Sequence, residues 1–148
     1  LHPQEHSALD LAMSPYPAKC HLSDGFEMAF ALAPPTPRRG MLLIDPSYEI
    51  KTDYETIPRQ IAKLNRAWNV GIIALWYPIL TNRAHLPMLD KLTANHPDAL
   101  RHEVRFPPAR PGHGMVGSGM FVINPPYGLD NEAQNLTARF ATLTQQER

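Results

Sequence analysis

Cysteine is nearly absent, with Cys20 alone among 148 residues. An intrachain disulfide and any multi-cysteine zinc or iron–sulfur site are thereby excluded, and a reducing cytoplasm is the expected setting. A long apolar run is also lacking. Val70 to Leu80 is the longest mostly apolar stretch, far short of the roughly 20 residues that cross a bilayer. Neither a membrane span nor a secretory leader is expected. An excess of either charge is missing too, since 14 basic residues face 14 acidic ones. That balance argues against a bulk electrostatic grip on nucleic acid and leaves local basic patches open.

What is present is a folding composition, 43% hydrophobic and 19% charged, in a chain of single-domain length. Sixteen prolines are about twice the ordinary usage of ~5%. They are scattered, so they punctuate elements instead of marking a low-complexity linker. The chain opens on Leu1 rather than methionine, which suggests a processed or truncated product.

Ala8, Leu9, Ala12 and Met13 share one helical face, and the prolines at 15 and 17 stop that helix. Ala18 to Leu22 reads as a short strand and Phe26 to Leu32 as a second helix, closed by Pro34-Pro35. Met41 to Ile44 is a continuous apolar run that predicts a strand buried on both faces, ending at Asp45-Pro46. Ile57, Ile61, Leu64 and Trp68 form the stripe of a helix packed on a sheet, and Val70 to Trp76 follows as another strand. Strand, helix, strand is a parallel crossover unit. Leu86, Leu89 and Leu92 predict a further helix, His102 to Phe106 a strand, and Met120 to Ile123 a third buried strand. A last helix opens near Asp130, which could cap it, and turns Leu136, Phe140 and Leu143 inward. The order predicts an α/β fold with a mostly parallel sheet. Ligands bind such sheets beyond the carboxyl ends of the strands, where Asp45 and Asn124 are both expected.

Two segments nearly repeat each other. Leu43-Ile44-Asp45-Pro46-Ser47-Tyr48 and Val122-Ile123-Asn124-Pro125-Pro126-Tyr127 each join an apolar strand to a carboxylate or amide, a proline and a tyrosine. Both are similar to the Asp/Asn-Pro-Pro-aromatic signature of amino-group methyltransferases. The chemistry explains the grouping. An adenine N6 amine is a poor nucleophile because its lone pair is delocalised into the ring. Two acceptors, a side-chain oxygen and the carbonyl of the first proline, localise that pair by taking both N–H hydrogen bonds. Proline stiffens the turn so that the oxygens converge, and the aromatic ring stacks on a base swung out of its helix. The competing reading of either segment is a plain strand end with a turn.

The wider segment from Gly40 to Tyr54, GMLLIDPSYEIKTDY, resembles the region around the catalytic motif of the 23S rRNA (adenine(2030)-N(6))-methyltransferase family. The likeness continues through Ile73 to Pro78 and Gly117 to Tyr127, and reaches back to Leu1-His2-Pro3 and Asp24-Gly25-Phe26. It implies a Rossmann-like class I methyltransferase fold, S-adenosylmethionine as cofactor, 23S rRNA as substrate and a cytoplasmic enzyme. It implies that Asp45 and Pro46 hold the target amine and that Tyr48 stacks on the adenine. Asp24, with Gly25 and Phe26 beside it, and Asp45 would bind the cofactor, and Lys51 could meet a phosphate. Asn124 to Tyr127 matches a segment near the end of that family's sheet and is read as structural. Ser47 departs from the motif's second proline. The family's N-terminal half, with its glycine-rich loop and a central strand, has no counterpart here. The chain is therefore expected to be the partial, carboxyl-terminal part (residues 1–148) of one methyltransferase domain, binding cofactor poorly alone. An inactive half-domain and a DNA adenine N6-methyltransferase relative are the alternatives.

Other signals are discounted. Gly112 to Gly117 spells G-x-G-x-x-G but leads into a strand, so a connector between two late strands is the better reading. His2, Glu5 and His6 have metal-compatible spacing without a third ligand, and no metal is expected. Cys20 is expected to be a small buried residue. Arg38, Arg39, Arg101, Arg105 and Arg110 are read as surface charge. For Trp76 and Tyr77, core packing competes with substrate stacking.

Overall fold

A computed structural model describes residues 3–108 and 110–146, with position 3 and positions 143–146 described for their backbone alone. These residues divide into two compact units, one ending at Ala33 and the other beginning at Pro34. The first unit holds helices α1 (Pro3–Met13) and α2 (Gly25–Leu32). Asp24 caps α2: one carboxylate oxygen, Oδ1, accepts from the amides of Phe26 (2.9 Å) and Glu27 (3.0 Å), satisfying two of the donors that a helix start leaves free. The strand expected at Ala18 to Leu22 does not form, because no neighbouring strand offers it a ladder. Cys20 is half-buried rather than buried. His2 lies outside the described residues, and among those described no cluster could hold a metal ion.

The second unit is built on strands β1 (Met41–Ile44), β2 (Ile72–Leu80), β3 (Leu100–Arg105) and β4 (Met115–Ile123), with helices α3 (Asp53–Ala67), α4 (Leu86–Asn95) and α5 (Leu129–Gln146). The sheet order is β1-β2-β4-β3. β1 and β2 pair in parallel, and β4 pairs antiparallel with both β2 and β3. The parallel β1–β2 pair is the one the crossover pattern predicts; β3 runs the same way only because β4 returns antiparallel between it and β2, so two of the three pairings are antiparallel. A nine-residue connection between β3 and β4 is too short for the crossover that a parallel pair requires.

The bulkiest core side chains of β2 lie on one sheet face, while Ala74 and Pro78 are buried on the other. Ile73, Leu75, Tyr77 and Ile79 alternate along β2 and are at most 1% exposed, against Ile57, Ile61 and Leu64 of α3 and Leu89 and Leu92 of α4. Two strand glycines make this packing possible. A side chain at Gly119 would collide with the Tyr77 ring and one at Gly117 with Ile79, so these positions mark close approach and not a phosphate loop. The G-x-G-x-x-G run accordingly spans the β3–β4 connection and ends inside β4. Pro78 is tolerated in β2 because β1 has already ended, its last pair being Ile44 with Leu75.

Two burial expectations fail. Met41 and Leu43 are 63% and 57% exposed, since β1 is an edge strand with a ladder on one side only among the described residues. In α5, Ala133 is buried but Leu136 is 45% exposed. That helix meets the sheet at β3, where Thr137 bonds to His102, so Leu136 is turned away; the side chain of Leu143 lies outside the described residues. Asp130 sits within the first turn of α5 instead of capping it.

Candidate active site

The apolar run of β1 ends at Asp45, and the chain there must turn toward α3. The turn is fixed by Tyr48. Its φ of 56° lies in the left-handed region, where a bulky side chain is an outlier and costs roughly 1–2 kcal/mol. Surrounding contacts hold it there. The Tyr48 hydroxyl donates to the carbonyl of Trp76 at 2.7 Å, and its ring lies 4.9 Å from Tyr54 and 6.1 Å from Trp76 between centroids. Trp76 is braced in turn, its indole Nε1–H donating to Ser118 Oγ at 2.7 Å. Burial, then the neighbouring Tyr54 and Asp45, push the Tyr48 hydroxyl well above the ordinary tyrosine range. It stays a hydrogen-bond donor at neutral pH and serves as an anchor, not a base.

Asp45, by contrast, is exposed, as are Ser47 and Lys51, while Pro46 is half-buried. The structure thus brings Asp45, Pro46, Tyr48 and Lys51 onto one braced loop at the carboxyl end of β1. An exposed carboxylate followed directly by a proline carbonyl offers two acceptors to an incoming amine. Asp24, Gly25 and Phe26 belong to the other unit, at the start of α2. With Oδ1 of Asp24 engaged in capping, Oδ2 is the oxygen left to accept from a ligand.

The second motif lies elsewhere. Register places Ile123 opposite Ile73, at the start of β2, whereas Ile44 lies opposite Leu75. Because β4 runs backwards, its carboxyl end is at the other end of the sheet from Asp45, which corrects the expectation that Asp45 and Asn124 fall together. Asn124 also acts as a clamp through its amide nitrogen. At φ 52°, its Nδ2 donates to the carbonyls of Asn69 (3.0 Å) and Gly71 (2.8 Å). A recess of about 360 Å³ beside it, lined by Leu100, Pro125, Tyr127 and Asp130 among others, is therefore remote from the Asp45 turn.

Tyr77 is core, at 0% exposure, and reaches across Gly119 to donate to Glu103 at 3.0 Å. Glu103 also accepts from Arg101 (Nε, 2.9 Å) and lies 3.6 Å from Arg105. Burial alone would raise the Glu103 carboxyl, but the Arg101 and Tyr77 hydrogen bonds and both arginines outweigh it and hold it below its ordinary value. Arg101 and Arg105 are thus ion-paired, and Arg38 reaches the carbonyl of Ala67 at 3.5 Å. The Trp76–Ser118 brace escaped the sequence reading. Its only trace is the small polar residue between Gly117 and Gly119.

Fold and turn together define a Rossmann-like α/β protein of the methyltransferase type. The chain belongs to the ribosomal RNA large subunit methyltransferase D, RlmJ, family, whose model matches residues 1–147. It is 39% identical over 120 residues to ribosomal RNA large subunit methyltransferase J of Escherichia coli (strain K12), covering 80% of this chain and 43% of that protein. It is 33% identical over 140 residues to the protein of the same name from Haemophilus influenzae (strain ATCC 51907 / DSM 11121 / KW20 / Rd), covering 92% and 49% respectively. A crystal structure of a Legionella pneumophila str. Philadelphia 1 protein matches with a TM-score of 0.86 at 32% identity, over 97% of this chain and 54% of that one. The chain spans about half the length of the curated relatives it matches.

Proposed function

We propose that this chain carries the target-amine site of an S-adenosylmethionine-dependent methyltransferase that modifies N6 of an adenine in 23S rRNA. The observation that supports it is the exposed Asp45 carboxylate on a turn whose left-handed Tyr48 is anchored to Trp76. Asp45 accepts one N6–H and the Pro46 carbonyl the other, which localises the nitrogen lone pair toward the methyl donor. Asp45 is in water's reach, so the proton released on methylation can pass from it to solvent. Lys51, on the same loop, pairs with a phosphate of the substrate. When bound, S-adenosylmethionine supplies an electrophilic methyl group. Oδ2 of Asp24 and the half-buried Phe26 ring suit the adenine end of that cofactor, an amine donor on a flat apolar ring. Tyr48, with its hydroxyl tied and Tyr54 at its ring, acts first as the anchor of the turn and offers the adenine only what ring surface remains.

The chain is read as the carboxyl-terminal part of that domain. The one-sided ladder of β1 and the exposed Met41 and Leu43 favour completion of the sheet by residues corresponding to the unmatched half of the relatives. No helix among the described residues is long and apolar enough to cross a membrane.

The test is radiolabelled methyl transfer to unmodified 23S rRNA, with DNA of the same sequence in competition. The chain is assayed alone and joined to the N-terminal half. Transfer by the joined protein that falls at least ~100-fold in Asp45→Ala supports the reading. Equal transfer by Asp45→Ala, or preference for the DNA, overturns it.

A further inference from the structure

We propose that the β2–α4 turn and the β3–β4 loop form a basic rim that binds backbone phosphates of the RNA substrate, beside the target adenine. This rests on the function proposed above and names a second contact surface for the same substrate.

Strand direction brings the rim to the right end of the sheet. β3 runs with β1 and β2, so Arg105 and the loop after it leave the sheet at the end where Asp45 sits. The turn after β2 arrives there too, and the two loops are joined by the Thr81 amide donating to the Gly114 carbonyl at 2.9 Å. On this joined edge stand Arg83, Arg110 and His113, all exposed. Arg83 is held at φ 59° and its amide donates to Leu80, while the His113 amide donates to Arg110. The ion pairs of the described residues involve Arg101 and Arg105 with Glu103, so Arg83 and Arg110 present unpaired guanidinium groups.

The chain as a whole is neutral, yet the stretches of sequence that carry these two arginines hold no acidic residue. No aspartate or glutamate occurs from Thr56 to Leu89, nor from Val104 to Leu129, the stretches that hold Arg83 and Arg110. A polyanion is the ligand such a surface fits, and arginine forks match phosphate oxygens in pairs. The reach is appropriate. Asp45 lies alongside Trp76 by register, and β2 continues four residues further to Leu80, about 13 Å at strand rise. At ~3.4 Å per nucleotide along one strand, the rim meets phosphates about four nucleotides from the adenine held at Asp45.

Binding of a fluorescein-labelled 23S rRNA fragment to the full-length protein tests this, by anisotropy across a salt series. In Arg83→Gln/Arg110→Gln the dissociation constant should rise about tenfold and the salt slope should fall by ~1.4, or ~0.7 for each lost contact to a single strand. Arg39→Gln/Arg66→Gln, which removes the same charge away from the rim, is the comparison. An unchanged slope in the rim variant, an equal loss in the comparison variant, or no RNA binding by the unmodified protein each overturns the rim. Methyl transfer measured in parallel separates the two readings. Arginine-dependent binding without transfer would sink the transferase reading alone, and transfer with binding indifferent to these arginines would sink the rim alone.

Discussion

Asn124 provides the sharpest separation of the two look-alike motifs. Its side chain donates to the Asn69 and Gly71 carbonyls, at 3.0 and 2.8 Å, from a backbone at φ 52°. Two neutral hydrogen bonds are worth about 1 kcal/mol each, and an alanine forced into the left-handed region adds roughly 1 kcal/mol over asparagine. Asn124→Ala should therefore cost about 2–4 kcal/mol. Asn124→Gly loses the bonds without the backbone penalty and should cost about 1–2 kcal/mol. Asn124→Asp is the most telling variant. It completes a literal Asp-Pro-Pro-Tyr motif yet points a carboxylate at two carbonyl oxygens, so it should destabilise at least as much as alanine. Urea unfolding of the full-length protein reads these losses. At a slope of ~2 kcal/mol per molar, Asn124→Ala moves the midpoint down by about 1–2 M. Methyl transfer at a temperature where every variant is folded reads the rest, and Asp45→Ala/Asn124→Asp should remain inactive. Restored transfer in that double variant, or loss of transfer by folded Asn124→Ala, would refute the assignment of the two motifs to opposite ends of the sheet.

Two further predictions concern the braces around the core and the turn. Ser118→Ala removes the acceptor of the Trp76 indole and Trp76→Phe the donor. Each should lower kcat about five- to tenfold, the equivalent of roughly 1 kcal/mol, with KM for rRNA unchanged. A change in KM alone would show that Trp76 contacts the substrate and does not position the turn. Glu103 is held below its ordinary value in the fold, so its carboxylate contributes stability above the ordinary glutamate pKa and loses it as pH falls through the lower folded value. Glu103→Gln should cost about 1–2 kcal/mol near neutrality. The gap to the unmodified protein should close on acidification below ~4.3, and a gap independent of pH would contradict the assignment.

Much of the frame was legible because it is written in local pattern. The limits of β1 follow from four apolar residues between Gly40 and Asp45-Pro46. The α3 stripe follows from a 3.6-residue period that only a packed helix needs. The Asp45 turn could be singled out as the candidate site because carboxylate, proline and tyrosine recur together for a chemical reason. The return of β4 was legible in principle, from a connection too short to cross over; it was missed because the apolar run from Met120 to Ile123 carries no sign of its direction. The same blindness placed Asn124 beside Asp45 and buried Met41 and Leu43, whose exposure depends on whether a strand has one neighbour or two.

The residues by themselves determined the element order from β1 onward, the position of Asp45 at a strand end and the membership of this chain in its family. These depend on periodicity and on the identity of adjacent residues. Only the tertiary structure decided which strand ends share a side of the sheet, that Tyr48 is tied to Trp76, and that Gly119 must be bare for Tyr77 to reach Glu103. Those facts join residues roughly 16 to 42 positions apart. They are set by strand direction, register and the close packing of side chains, none of which a local stretch of sequence encodes.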